Sequence, residues 1–89
     1  MKRFLVVFKG QVQGVGFRWT ISSLAKKYNV TGFVENLLNG DVLAQIQGNS
    51  DNLDALLQEL FQRKGFIRID DYSLKPLDII EDEYYFSIR

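Results

Sequence analysis

The period of the hydrophobic pattern changes several times along the chain and divides it into five predicted strands and two predicted helices. Short apolar runs and alternating apolar and polar residues favour strands, whereas apolar residues three and four positions apart favour helices. The strands are predicted at residues 4–8, 31–38, 41–47, 67–74 and 84–89. The first helix is predicted to begin at about Phe17 and to end near Asn29, and the second to begin with Ser50 as its N-cap.

The strands carry further signals. The run from Phe4 to Phe8 is wholly apolar, which is typical of a strand covered on both faces. Asn39-Gly40 stands between the second and third strands and is a strong hairpin signal. Pro76 is expected to close the fourth strand, because proline has no N–H to donate to a neighbouring strand.

Charged residues mark two further boundaries. Arg63 and Lys64 would complement the negative end of the second helix, and Gly65 is the natural residue just beyond that end. The acidic segment Glu81–Glu83, with Asp78 nearby, is expected to be a solvated turn rather than a cation site.

The predicted order of elements is β-α-β-β-α-β with one further strand at the end. This order favours an α+β fold of the ferredoxin-like, split βαβ type, with an antiparallel sheet and two helices on one face. The chain has 89 residues, so we expect a single domain that spans residues 1–89.

Composition limits the chemistry that the chain can perform. There is no histidine and no cysteine, which excludes disulfides and thiolate chemistry and removes the commonest general base. Eleven basic and eleven acidic residues give a net charge of zero, which is weak support for a nucleic-acid partner. The apolar runs are too short to span a membrane or to serve as a signal peptide, so we expect a cytoplasmic protein without a membrane partner.

The glycine-rich segment from Gly10 to Arg18 leads from the first strand into the first helix. Glycines allow neighbouring backbone N–H groups to converge, and a helix N-terminus adds further donors and positive potential. Arg18 could bind two phosphate oxygens with its planar guanidinium. The same pattern also fits a tight connection without any ligand, and the residues alone leave both interpretations open.

Two motifs give the chain a resemblance to the acylphosphatases. The segment Gly10-Gln11-Val12-Gln13-Gly14-Val15-Gly16-Phe17-Arg18 resembles the first motif of that family, with Phe8 where an aliphatic residue is usual. The segment Gly32-Phe33-Val34-Glu35-Asn36 resembles the start of the second motif, which continues with Gly40, Val42 and Gly48. Glu35 departs from the family pattern, which has a basic or neutral residue at that place.

The resemblance implies that the chain hydrolyses acyl phosphates to a carboxylate and inorganic phosphate without a metal or cofactor. It also implies which residues act. The phosphoryl group would be held by Arg18 and by the backbone amides of residues 13–18, which we call the phosphate loop: Gln13, Gly14, Val15, Gly16, Phe17 and Arg18. Asn36 would orient the attacking water. The partners would be the small-molecule acyl phosphate and inorganic phosphate, and we expect a monomer.

The residue types present fit this chemistry. An acyl phosphate has a carboxylate leaving group that needs no general acid, and its loose transition state needs no strong base. Positioning and charge stabilisation remain, and Arg18, Asn36 and backbone amides can supply both. Trp19 is expected to be partly buried beside the site.

A second hypothesis is an acylphosphatase-like module that binds anions but is catalytically weak or inactive, since the Glu35 carboxylate adjoins Asn36. An RNA-binding module is disfavoured, because the predicted strand at 41–47 has no aromatic residue.

Overall fold

The structure is a computed structural model and describes residues 1–63 and 65–89. Within these residues, the strands are β1 (Lys2–Gln11), β2 (Thr31–Asn36), β3 (Val42–Gly48), β4 (Arg68–Leu77) and β5 (Phe86–Ile88). The helices are α1 (Phe17–Lys27) and α2 (Ser50–Phe61). The predicted elements are present in the predicted order, although several of them begin or end elsewhere.

The strands form one sheet in the order β4-β1-β3-β2-β5. The ferredoxin-like α+β fold is therefore confirmed, with one difference. β5 pairs with β2 in parallel, so the sheet is mixed and not wholly antiparallel. β4 ends opposite Arg3 and β5 begins opposite Gly32, at the same end of the sheet. Because the connecting segment leaves and re-enters the sheet at that end, β5 runs opposite to β4 and thus in the direction of β2.

One face of the sheet packs against both helices. Val6 and Phe8 of β1 are fully buried there, in one cluster with Ile21 of α1 and Leu56 of α2. Leu5 and Val7 alternate with them, so they point to the opposite face and remain half-buried. The prediction that residues 4–8 are covered on both faces is wrong, because the helices cover only one face.

Arg3 is buried on the face of the sheet that the helices leave open. Its Nη1 donates hydrogen bonds to Glu83 Oε1 at 2.8 Å and to Gln47 Oε1 at 3.1 Å, and its Nε donates to Gln45 Oε1 at 2.9 Å. Gln47 also exchanges two hydrogen bonds with the backbone of Ile80. The segment between β4 and β5 is thereby fastened to the sheet. The expectation of a solvated acidic turn is wrong for Glu83, whose side chain is only 18% exposed.

The ends of α2 differ from the prediction. Asn49, not Ser50, is the N-cap, and its side chain accepts a hydrogen bond from the backbone N–H of Asn52 at 2.9 Å. The helix ends at Phe61, and its last turn contains no basic residue. Arg63 therefore lies outside the last turn of the helix. Gly65 lies three positions after the C-cap residue Gln62 and is not the residue directly beyond the helix end. Lys64 lies outside the described residues.

The bounds of β4 and β5 differ from the predicted bounds. β4 continues through Pro76, which pairs with Phe4. The strand lies at the edge of the sheet, where a missing N–H can face solvent, so Pro76 does not close it. β5 is shorter than predicted, since Tyr84 and Tyr85 precede it and Arg89 follows it. No helix within the described part of the chain is long and apolar enough to span a membrane.

Candidate active site

The phosphate loop begins two residues after the end of β1 and reaches into the first turn of α1. Gly14 and Gly16 adopt positive φ angles of 75° and 77°. A Cβ atom at either position would meet nothing within 4 Å, so these positions require glycine for its backbone conformation and not for space. Gly16 is also the N-cap residue of α1 and supplies no side-chain cap.

The start of α1 is held in place by an aromatic contact. The rings of Phe17 and Phe8 meet edge to face with centroids 5.0 Å apart, and both side chains are buried. The first N–H groups of a helix have no partners within the helix. The first turn of α1, which the structure describes in full, carries no acidic residue that would compete for them. Backbone donors at a fixed position, with no anion already present in the turn, suit a phosphoryl group.

The structure brings Arg18 and Asn36 to one cavity, although they lie on different elements. This cavity has a volume of about 210 Å³ and is lined by Val12, Gly14, Gly16, Phe17, Arg18, Trp19, Asn36 and Ile88. Of the predicted site residues, Gln13 and Val15 do not line it. A second cavity of about 300 Å³ lies between α2 and β4. Asp70 and Asp71 are among its lining residues, and none of the predicted site residues lines it.

Arg18 is half-buried in the first turn of α1. Its Nη1 donates a hydrogen bond to the main-chain oxygen of Arg89 at 2.9 Å. The backbone N–H of Arg89 in turn donates to the carbonyl oxygen of Val34 at 2.8 Å. The guanidinium is therefore oriented by the segment that follows β5, which is itself bonded to β2.

Asn36 is the last residue of β2 and is exposed at the cavity. It pairs with Val42, and Glu35 pairs with Leu43. Because neighbouring residues of a strand point to opposite faces, Glu35 lies on the open face of the sheet while Asn36 lies on the helix face. The Glu35 carboxylate therefore does not point into the cavity.

The hairpin after Asn36 has a five-residue turn, residues 37–41, rather than a two-residue turn at Asn39-Gly40. The backbone N–H of Leu37 donates to the Asp41 carbonyl oxygen at 2.8 Å, and the N–H of Gly40 donates to the Leu37 carbonyl oxygen at 3.2 Å. Asn39 caps the turn through its side chain, which accepts from the Asp41 N–H. The hairpin prediction is thus correct, but the geometry of its turn differs.

The Gln13 side chain joins the phosphate loop to this turn. Its Nε2 donates to the carbonyl oxygens of Leu37 and Asp41 at 2.7 and 2.8 Å. Sequence reasoning identified only the backbone amide of Gln13. No local signal could reveal the side-chain contact, because the partners lie 24 and 28 positions away.

Trp19 and Ile88 form an apolar rim beside the cavity. Trp19 is 67% exposed and Ile88 is 47% exposed. Trp19 thus lies beside the site as predicted, but it is largely exposed and not partly buried. Within residues 1–63 and 65–89, no group of three or more aspartate and glutamate side chains is placed to hold a metal ion.

Comparisons with known proteins show which family the chain resembles. The acylphosphatase family model matches residues 4–88. The acylphosphatase of Clostridium beijerinckii is 37% identical over 89 residues, which cover 100% of this chain and 99% of that protein. The acylphosphatase of Clostridium acetobutylicum is 36% identical over 88 residues, with coverage of 99% and 97%. The crystal structure of acylphosphatase from Bacillus subtilis superimposes with a TM-score of 0.92 at 28% identity and covers 100% of this chain and 99% of that chain.

Proposed function

The chain belongs to the acylphosphatase family, and we propose that Arg18, Asn36 and the backbone amides of the phosphate loop carry out its hydrolysis of acyl phosphates. The observation that supports this assignment best is the shared cavity. Arg18 and Asn36 come from different elements and face the same space, next to Gly14 and Gly16.

The reaction breaks the bond between phosphorus and the acyl oxygen. Water attacks the phosphorus atom, the carboxylate departs with the bonding electron pair, and the water loses a proton to solvent as inorganic phosphate forms. Negative charge is spread over the phosphoryl oxygens in a loose transition state. Catalysis therefore needs donors around those oxygens and a correctly placed water, and it needs no strong base.

Arg18 and the loop amides bind the phosphoryl oxygens in this proposal. The bond from Nη1 to the main-chain oxygen of Arg89 orients the guanidinium plane. It leaves the Nε and Nη2 hydrogens as a planar pair for two phosphoryl oxygens. The backbone N–H groups at the start of α1 contribute further donors from a fixed position, so little reorganisation is needed during the reaction.

Asn36 orients the attacking water in this proposal. A side-chain amide offers both an acceptor and two donors, so it can hold a water in one orientation without adding charge. An aspartate at this position would repel the phosphoryl oxygens. The hypothesis of a weak or inactive module depended on Glu35, and that residue lies on the opposite face of the sheet.

The proposal further includes one domain over residues 1–89, a cytoplasmic monomer, and no nucleic-acid or membrane partner. It includes no metal or cofactor. The substrates are small acyl phosphates, and the product common to all of them is inorganic phosphate.

The function is tested by hydrolysis of benzoyl phosphate and acetyl phosphate in the presence of a chelator. We expect inorganic phosphate to be released at the same rate with and without the chelator, and added phosphate to inhibit competitively. A crystal soaked in phosphate should show the anion at residues 13–18. Absence of hydrolysis, or an anion bound elsewhere with the loop empty, would contradict the assignment.

A further inference from the structure

The phosphate loop and Asn36 lie on parts of the fold that are not directly paired. The loop follows β1 and Asn36 ends β2, and β3 lies between these two strands in the sheet. The separation between the loop and Asn36 therefore depends on two successive strand pairings and on the indirect path from Arg18 through Arg89 to Val34 of β2, unless a direct contact fixes it. Such a contact matters, because a displacement of about 1 Å between reacting groups can cost roughly 10²-fold in rate.

The Gln13 side chain makes this direct contact. Both of its short hydrogen bonds, 2.7 and 2.8 Å, are donated by one Nε2 atom to the carbonyl oxygens of Leu37 and Asp41. These same two oxygens also accept the backbone hydrogen bonds that close the turn at residues 37–41. Gln13 therefore binds the turn at both of its ends, and the turn begins directly after Asn36.

The chemistry of the contact is specific for an amide. The NH₂ group of a glutamine side chain has two hydrogens, and the two carbonyl oxygens accept one each. The glutamine is half-buried, so water competes weakly for these donors. A shorter amide would not reach, an apolar side chain would leave both bonds unmade, and a carboxylate would face two carbonyl oxygens without a proton to donate.

A second contact reaches the same turn from the protein surface. Lys9 Nζ forms an ion pair with Asp41 Oδ2 at 2.6 Å, and the lysine side chain is 55% exposed. Exposed ion pairs contribute little to the free energy of folding. Lys9 thus provides a matched control, since its removal breaks a link to the turn without affecting the amide contact.

We infer that the Gln13 side chain is a positioning residue, which sets Asn36 at the correct distance from the phosphate loop; this inference rests on the proposed function. Its backbone N–H belongs to the loop, but its side chain acts on the hairpin. Loss of the side chain should therefore displace the water-orienting group and leave the phosphate-binding group in place.

The experiment compares Gln13→Leu, Gln13→Glu and the control Lys9→Met with the wild-type protein on benzoyl phosphate. For Gln13→Leu we expect kcat to fall by roughly 10²-fold, while the inhibition constant of phosphate stays within about twofold of the wild-type value. Lys9→Met should keep nearly the full kcat.

The pH profile of Gln13→Glu provides a readout that a purely structural role would not produce. The deprotonated carboxylate has no hydrogen to donate, whereas the protonated form has one. The kcat of this variant relative to the wild-type protein should therefore rise as the pH is lowered from about 8 to about 5, towards the range in which glutamate takes up a proton. This readout also applies if Gln13→Leu does not fold.

The outcomes separate the inference from the function on which it rests. An inactive wild-type protein would contradict the proposed function itself. If the wild-type protein is active, a near-normal kcat in Gln13→Leu would overturn only the positioning role. A parallel loss of kcat and phosphate inhibition would also overturn it, because the side chain would then shape the loop. A kcat of Gln13→Glu that keeps the same ratio to the wild-type kcat at every pH would also overturn the positioning role.

Discussion

Arg18 and Arg89 are joined by a hydrogen bond of 2.9 Å from the guanidinium Nη1 of Arg18 to the main-chain oxygen of Arg89, although 71 positions separate them in the sequence. The bond connects the first turn of α1 to the segment that follows β5. The bond uses one hydrogen of the guanidinium group and orients the plane in which its remaining N–H hydrogens lie. The orientation of a charged group at the site is thus set by the pairing of β5 with β2.

Replacement of Arg18 by lysine tests whether this planar geometry matters. Lysine keeps the positive charge but cannot donate two parallel hydrogen bonds. We expect Arg18→Lys to lose roughly 10²-fold in kcat/KM, close to the loss in Arg18→Ala, as when a fixed transition-state donor is removed. Arg63→Lys, on the exposed segment after α2, is the control and should retain activity. Near-normal turnover of Arg18→Lys would show that Arg18 acts only as a diffuse positive charge.

The ion pair between Arg3 and Glu83 should make stability depend on pH. Burial by itself would raise the pKa of Glu83. The hydrogen bond from Arg3, the nearby Thr31 side chain and the positive charge of Arg3 outweigh burial and hold the pKa below its ordinary value of 4.5. A carboxyl group whose pKa is lower in the folded state than in the unfolded state stabilises the fold at pH values above its unfolded-state pKa. This stabilisation is lost as the pH falls through the folded-state pKa.

We therefore expect the free energy of unfolding of the wild-type protein to decrease as the pH is lowered below about 4.5, and Glu83→Gln to show a weaker dependence. At neutral pH, Glu83→Gln keeps an acceptor oxygen for Arg3 but loses the negative charge, so it should be less stable by about 1 kcal/mol, the difference between a charged and a neutral hydrogen-bond partner. The control is Glu59→Gln, which breaks the more exposed pair with Lys27. Urea unfolding at several pH values measures the free energy of unfolding of both variants. Equal effects of the two substitutions would contradict the role given to the pair of Arg3 and Glu83.

The apolar rim of the cavity should affect the acyl group and not the phosphoryl group. Trp19 exposes a large aromatic surface beside Arg18, and an aromatic acyl group could pack against it. Trp19→Ala should raise the KM for benzoyl phosphate by roughly tenfold, corresponding to about 1.4 kcal/mol, and should leave the KM for acetyl phosphate nearly unchanged. Leu38→Ala removes another exposed apolar side chain on the neighbouring hairpin and serves as the control. Equal effects of Trp19→Ala on the two substrates would contradict a role in acyl recognition.

The local pattern of the sequence was sufficient to predict the elements that carry the candidate site. The glycines before Phe17 and the helical spacing of Ile21 and Leu24 predicted a loop that enters a helix. Alternation in residues 42–46 predicted a strand with one buried face. These features were predictable because each depends on a few adjacent residues.

Contacts between distant segments could not be predicted in the same way. The parallel pairing of β5 depends on the path of residues 78–85 across the end of the sheet. The amide contact of Gln13 and the ion pair of Arg3 join residues 24 to 80 positions apart. Pro76 continues an edge strand because of the position of that strand in the sheet. In each case the deciding partner is brought close only by the folded chain.

The proposed mechanism assigns the attacking water to Asn36 and the phosphoryl group to Arg18 and the loop. It predicts that Asn36→Ala separates turnover from phosphate binding, because the two functions lie on different segments. Asn36→Asp should be at least as impaired, since it adds a negative charge beside the phosphoryl oxygens. Glu35→Gln is the matched control, because its side chain lies one residue away on the opposite face.

The most direct measurement is the steady-state hydrolysis of benzoyl phosphate by Asn36→Ala, with inorganic phosphate as a competitive inhibitor. We predict that kcat falls by roughly 10²-fold or more, that the inhibition constant of phosphate stays within about twofold of the wild-type value, and that Glu35→Gln retains nearly the full kcat. An unchanged kcat in Asn36→Ala would remove Asn36 from the mechanism and contradict the account.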